Sequence, residues 1–121
     1  MRRHLALGEA GEELAVRYLE ERGLRIVERR VRYRFGELDI VARDGKEWVF
    51  VEVKTRSGTR MGTAREAFSA RKSARMKKAV AEYMRLNGLD ERPIRCDFLA
   101  IDLEADGTPS IAHYPGGISW T

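Results

Sequence analysis

The sequence predicts an α/β domain whose mixed β-sheet is flanked by helices, in the order helix, three strands, helix, two strands. Three observations carry this. Apolar residues recur at helical spacing in two separate stretches, 7–19 and 76–84. Between them, two alternating runs rich in β-branched residues, 37–42 and 48–54, flank Asp44-Gly45, a tight-turn dipeptide. Beyond the second helical stretch, residues 94–103 read as a further strand, which a helical crossover brings in parallel to the third strand.

The first helix rests on Leu7, Ala10, Gly11, Leu14, Ala15, Tyr18 and Leu19, one buried stripe that ends near Gly23. Glu9, Glu13, Arg17 and Glu20 point to water, and Glu12 lies on the border of the stripe beside Val16 and Leu19. Residues 24–34 carry Ile26, Val27 and Val31 among arginines and form the first strand. In the following hairpin, Asp44 and Gly45 as turn residues pair Arg43 with Lys46. That register sets Asp39 opposite Phe50 and Glu37 opposite Glu52. Leu38, Ile40, Val49, Val51 and Val53 then fill a buried face. Residues 57–62 read as a flexible loop and 64–69 as a short helical turn. The second long helix buries Met76, Ala79, Val80, Tyr83 and Met84 and stops at Gly88, with Arg71, Arg75, Lys78 and Arg85 toward solvent. Asp106-Gly107 is a turn, and 110–114 a short last strand.

The chain of 121 residues is expected to form one domain, 1–121, with a modest core. No apolar run reaches membrane-spanning length and no signal-peptide core follows the basic start, so the expected location is the cytoplasm, without a membrane partner. The single cysteine, Cys96, rules out an internal disulfide and a cysteine zinc site, and reads as a small buried residue. The net charge of +4 is unevenly spread. Residues 61–85 carry seven basic and two acidic groups, residues 86–121 two basic and six acidic, and residues 25–34 five arginines against one glutamate. Clustered positive charge on a nearly balanced chain points to a polyanion such as nucleic acid. Tyr33-Arg34-Phe35 adds rings to that charge, a mixture found on nucleic-acid surfaces and at ordinary strand ends alike.

The chemistry sits on the hairpin. Side chains alternate along strands, so Glu37, Asp39, Glu52 and Lys54 share a face, with Asp39 and Glu52 diagonal neighbours about 7–8 Å apart along the backbone. Two carboxylates at that spacing can hold one Mg²⁺ or Mn²⁺, which supplies positive charge and acidifies water for phosphodiester hydrolysis. Lys54 on the same face orients water or stabilises developing negative charge. The plain alternative is a salt bridge between Lys54 and either acid. Arg34 and Arg56 at the same end weigh against it, as does the basic second helix. In that helix Arg71, Lys72 and Arg75 are placed to contact phosphate, Lys72 leaning inward at the positive helix end. Asp97 is a further acid for which a structural hydrogen bond is the simpler role. Neither histidine neighbours a serine or cysteine nucleophile, and no glycine-rich phosphate loop opens a helix, which disfavours covalent catalysis and an NTPase.

Asp39 followed by Glu52-Val53-Lys54 resembles the Asp…(Asp/Glu)-x-Lys signature of the restriction-endonuclease-like, PD-(D/E)XK, nucleases. The blocks GEAGEELAVRYL, GELDIVARDG and VFVEVKTR, in that order, are more specifically similar to the YraN-type family of small predicted endonucleases, related to archaeal Holliday junction resolvases. The likeness runs from about residue 8 to residue 100; Leu38 stands where the broad signature often has proline. The resemblance implies a restriction-endonuclease-like fold and Mg²⁺- or Mn²⁺-dependent, structure-selective cleavage of branched DNA. It also implies a metal contact from Glu12, and dimerisation as the usual way to reach two strands. A nuclease-fold protein that binds branched or single-stranded nucleic acid without cutting it is the alternative.

Overall fold

The computed structural model describes residues 2–57 and 70–118, with side chains for 7–57 and 74–118. The expected loop beyond Ser57 and helical turn at 64–69 lie outside the described residues, as do the side chains of Arg71 and Lys72. The elements are helix α1 (Arg2–Glu21), strands β1 (Arg25–Tyr33), β2 (Gly36–Asp44) and β3 (Glu47–Ser57), helix α2 (Ala70–Leu86), and strands β4 (Ile94–Leu103) and β5 (Pro109–Ile118). The strands form one five-stranded sheet in sequence order. All neighbours are antiparallel except β3 and β4, which are parallel, as a helical crossover demands. No helix among the described residues is long and apolar enough to cross a membrane.

Each sheet face is covered by one helix. Ala15 and Leu19 of α1 pack with Ile40, Ala42, Val49, Val51, Leu99 and Ile101. Met76, Ala79, Val80, Tyr83 and Met84 of α2 pack with Leu38, Val41, Phe50, Cys96 and Phe98 on the other side. The central strands are buried on both faces, which is why Trp48–Val51 of β3 and Phe98–Ile101 of β4 are continuous apolar runs. One expected member of the α1 stripe, Ala10, is exposed instead. Strand β5 is longer than 110–114, because a bulge opposite Asp97 lets pairing resume at Ile118 with Cys96.

At Gly11, α1 lies tightly against Thr55 of β3. A Cβ there would lie 1.8 Å from Thr55 Oγ1 and 2.7 Å from Thr55 Cβ. Rotating Thr55 relieves the first clash but not the second, so any side chain at 11 lifts the helix off β3. Gly8, one turn earlier, has nothing within 4 Å. Helix propensity favours alanine over glycine by about 1 kcal/mol, so Gly8→Ala is expected to stabilise the fold by up to that amount. Gly11→Ala should destabilise it by about 1–3 kcal/mol, because overpacking exceeds the propensity gain. Urea midpoints for both variants, with a Gly11→Ala/Thr55→Gly double-mutant cycle, check this. Strict additivity in the cycle would show that the contact is not the cause.

The core also sets an alkaline limit. Burial, with the neighbouring Asp97 charge, pushes the Cys96 thiol from its ordinary 9.0 up to about 11. Burial and a hydrogen bond donated to Glu28 Oε1 at 3.1 Å push Tyr83 from 10.0 up to about 12. Both groups hold their protons more tightly folded than unfolded. Their stabilisation is complete below the unfolded values and fades as pH rises from about 9 to about 11 and from about 10 to about 12 respectively. Urea midpoints are therefore expected to fall between about pH 8 and pH 10.5, and to fall less in Cys96→Ala. An equal fall in both proteins would remove Cys96 from this account.

Candidate active site

The hairpin turn decides the site's register. Its two turn residues are Gly45 and Lys46, with Asp44 paired to Glu47 and Ile40 to Val51. This corrects the expectation of an Asp44-Gly45 turn pairing Arg43 with Lys46. Gly45 has φ +63° and Lys46 has no positive φ, the pattern of a type II′ turn with glycine first. The shift moves each partner by two residues, so the faces of β3 survive and the neighbours change. Arg95 reaches both flanking acids, Asp44 at 3.3 Å and Glu47 at 3.1 Å, and ties the hairpin end to β4.

Continuing the observed register by one residue points Asp39 at Glu52 rather than at Phe50. The ladder stops there: Asp39 Oδ2 accepts the backbone N–H of Val53 at 2.8 Å. A side-chain carboxylate thus replaces a strand carbonyl and is held against the Glu52-Val53-Lys54 segment. Glu52 is buried, 5 % exposed, one of two buried charged residues among those described. Glu52 and Lys54 alternate with Val51, Val53 and Thr55 on β3, and Lys54 is half-buried.

A second correction concerns faces. Leu38 packs on the α2 side, whereas Ile40 packs on the α1 side with Val49 and Val51. Both β1 and β2 change face at one point. Arg29 pairs with Ile40 and Val31 with Leu38, and between these pairs lie Arg30 and Asp39. Arg30 has φ +54°, a left-handed conformation uncommon for a residue with a side chain. Asp39 occupies the break, which is why its carboxylate can turn toward β3.

Glu12, on α1, is 12 % exposed, and its Oε1 accepts from Arg30 Nε at 2.8 Å and Arg29 Nη2 at 3.1 Å. The border position expected for it is correct, and its carboxylate is engaged by these two β1 arginines. Glu37 is exposed and pairs with Arg32 at 3.2 Å. Asp97 is fully buried and takes the structural role. It accepts from Arg95 Nε at 2.9 Å and the Gly116 N–H at 2.8 Å, and lies 2.7 Å from His113 Nε2. No local pattern marks His113, because its partner is on a neighbouring strand and the bulge that brings Gly116 in is a tertiary feature.

Among the basic candidates, Arg34 is exposed in the β1–β2 turn, and Arg75 is exposed on α2 with Nε donating to the Phe35 carbonyl at 3.4 Å. Gly36 permits this approach, since a Cβ there would lie 3.1 Å from the Arg75 carbonyl oxygen. Arg56 is half-buried on β3, level with Asp102 of β4.

Among the described residues no group of three His, Cys, Asp or Glu side chains is arranged to hold a metal ion. Among the described residues, Asp39 and Glu52 are therefore not part of an all-protein cage of the kind Ca²⁺ or structural Zn²⁺ takes. One or two carboxylates, with water and substrate phosphate completing the shell, are the usual donor set for Mg²⁺. The two acids suit that kind of ion.

The chain is 48% identical to a UPF0102 protein of Shewanella loihica over 99 residues, 82% of this chain and 86% of that one. It is 49% identical to one of Shewanella baltica over 102 residues, 84% and 92%. A third, of Shewanella halifaxensis, is 44% identical over 113 residues, 93% and 88%. The model of the uncharacterised protein family UPF0102 matches residues 11–101, a span that includes Glu12, Asp39, Glu52 and Lys54. The chain belongs to the uncharacterised protein family UPF0102.

Proposed function

We propose that the chain is a metal-dependent endonuclease of the restriction-endonuclease-like, PD-(D/E)XK kind, akin to the YraN-type proteins, acting on branched or junction DNA in the cytoplasm. The observation that carries this is the Asp39–Val53 hydrogen bond, which brings one carboxylate to the Glu52-Val53-Lys54 segment where the ladder ends. A sheet needs no such arrangement, and Glu52 lies buried next to it on β3. Mg²⁺ or Mn²⁺, when bound, supplies the charge that offsets the phosphate and promotes water as nucleophile. Asp39 and Glu52 hold it; the Val53 N–H orients Asp39; Lys54 meets the negative charge that grows on the phosphate. Arg34 and Arg75 grip neighbouring phosphates, joined in this proposal by Arg56, Arg71 and Lys72. Glu12 serves as a support that neutralises Arg29 and Arg30 beneath the site rather than as a first metal ligand. Two copies acting together reach two strands.

The test is incubation with end-labelled junction, flap, duplex and single-stranded DNA, in Mg²⁺, Mn²⁺ or EDTA. Metal-dependent cutting of branched substrates is expected. Tight binding with no cutting of any substrate would replace this reading with that of a nuclease-fold binding protein.

A further inference from the structure

Val27, Phe35 and Leu86 are the large apolar side chains left exposed among the described residues. Phe35 differs from the other two in its surroundings. Its ring stacks on Tyr33 with centroids 5.9 Å apart and planes 16° from parallel. Tyr33 in turn packs against the α2-side core. Phe35 is therefore a supported ring, 38 % exposed, at the tip of the β1–β2 turn. The turn is pinned to α2 by the Arg75–Phe35 hydrogen bond and by the close approach at Gly36. Arg34 precedes Phe35 in the turn and Arg75 donates to its backbone carbonyl; both are exposed, and among the described residues neither forms a salt bridge, whereas Arg32 is matched by Glu37.

A supported aromatic face on a turn that carries one exposed arginine and is bonded to another fits one ligand chemistry: a flat π-system carried on an anionic backbone. We infer that Phe35 is a stacking platform for an unpaired nucleobase, with Arg34 and Arg75 holding the phosphates on either side. In a duplex each base face is covered by its neighbours, so the platform selects for unpaired strand. The inference rests on the reading of the chain as acting on nucleic acid, and it narrows the substrate to DNA with unpaired bases near the cut. Phe35 lies in the β1–β2 turn just before β2, and Asp39 is four residues further along the chain, at most about 14 Å away. That is roughly four nucleotides at stacked spacing and fewer on a stretched strand.

The experiment is fluorescence anisotropy with a labelled oligo(dT) and a fully paired duplex, in EDTA, for the wild type, Phe35→Ala and Phe35→Trp. Phe35→Ala is expected to weaken oligo(dT) binding between about 5-fold and about 150-fold, the effect of losing one base–aromatic stack, and to change duplex binding by less than about 2-fold. Phe35→Trp should keep the affinity, and its added indole emission should be quenched by oligo(dT). Melting curves of the three proteins should coincide, since Phe35 lies outside the core. Equal losses on both substrates, or none on either, would overturn the platform. Because binding is read without metal, the two readings fail separately. A wild type that binds oligo(dT) through Phe35 but cuts nothing keeps the platform and loses the nuclease. A wild type that cuts while Phe35→Ala binds oligo(dT) normally loses only the platform, and a wild type that does not bind oligo(dT) likewise overturns the platform and leaves the nuclease to its own cleavage assay.

Discussion

Lys54→Ala is expected to cleave branched DNA about 10²–10³-fold more slowly than the wild type while binding it almost as well. The reason is the timing of its interaction. Lys54 stands two residues beyond Glu52 on β3 and is half-buried; in the proposed nuclease its ammonium acts at the phosphate being cut rather than on the DNA-gripping surface. Negative charge on the phosphate grows as the bond to water forms. A donor aimed at that charge contributes mostly in the transition state, and its loss falls on the rate. A cation that merely attracts phosphate would behave otherwise, giving weaker binding, a shallower salt dependence and an unchanged single-turnover rate. Two measurements separate these outcomes: a gel-shift titration in Ca²⁺ and single-turnover cleavage in Mg²⁺ or Mn²⁺. Cleavage at wild-type rate in Lys54→Ala removes the residue from the chemistry. Lys54→Arg should recover little, because a forked guanidinium presents its charge with a different reach and geometry.

The other large effect concerns the metal. Asp39→Asn with Glu52→Gln is expected to lower Mn²⁺ affinity by more than the roughly 10–100-fold that loss of a supporting residue costs, removing the saturable heat in calorimetry. The pair of substitutions is chosen to spare the fold. Asparagine at 39 still offers an oxygen to the Val53 N–H, so the bond that replaces the strand ladder survives without its charge. Glutamine at 52 matches the volume of a buried side chain. Glu12→Gln provides the contrast, since its carboxylate is engaged by Arg29 and Arg30. It should bind Mn²⁺ nearly as the wild type does while losing stability, because Arg30 loses the carboxylate it donates to and Arg29 is left with its 3.1 Å bridge to Glu13. Equal heats for the wild type and the double variant would end the metal assignment. A large Mn²⁺ loss in Glu12→Gln would instead make Glu12 a direct ligand.

Helix α1, the three strands, helix α2 and strand β4 were legible because each carries its own period: 3.6 on Ala15, Leu19, Val80 and Tyr83, and 2 along the hairpin. Asp39, Glu52 and Lys54 stood out as candidates too, as polar residues that alternation sets on one face at the end of an otherwise apolar hairpin. What periodicity cannot carry is a choice between near-equal local solutions. Asp44-Gly45 and Gly45-Lys46 both make acceptable two-residue turns, and Arg95, which is 51 residues from Asp44, favours the second by bonding to Asp44 and Glu47 together. The change of face at Asp39 depends on a left-handed Arg30 in the neighbouring strand, a conformation that costs energy and that no local preference of arginine announces. Asp97 and His113 meet across a β-bulge, and Glu12 of α1 meets two arginines of β1. The sequence alone therefore determined which residues carry charge on which elements. The tertiary structure decided which charges meet, because register, bulges and helix docking are settled by contacts between residues far apart in the chain.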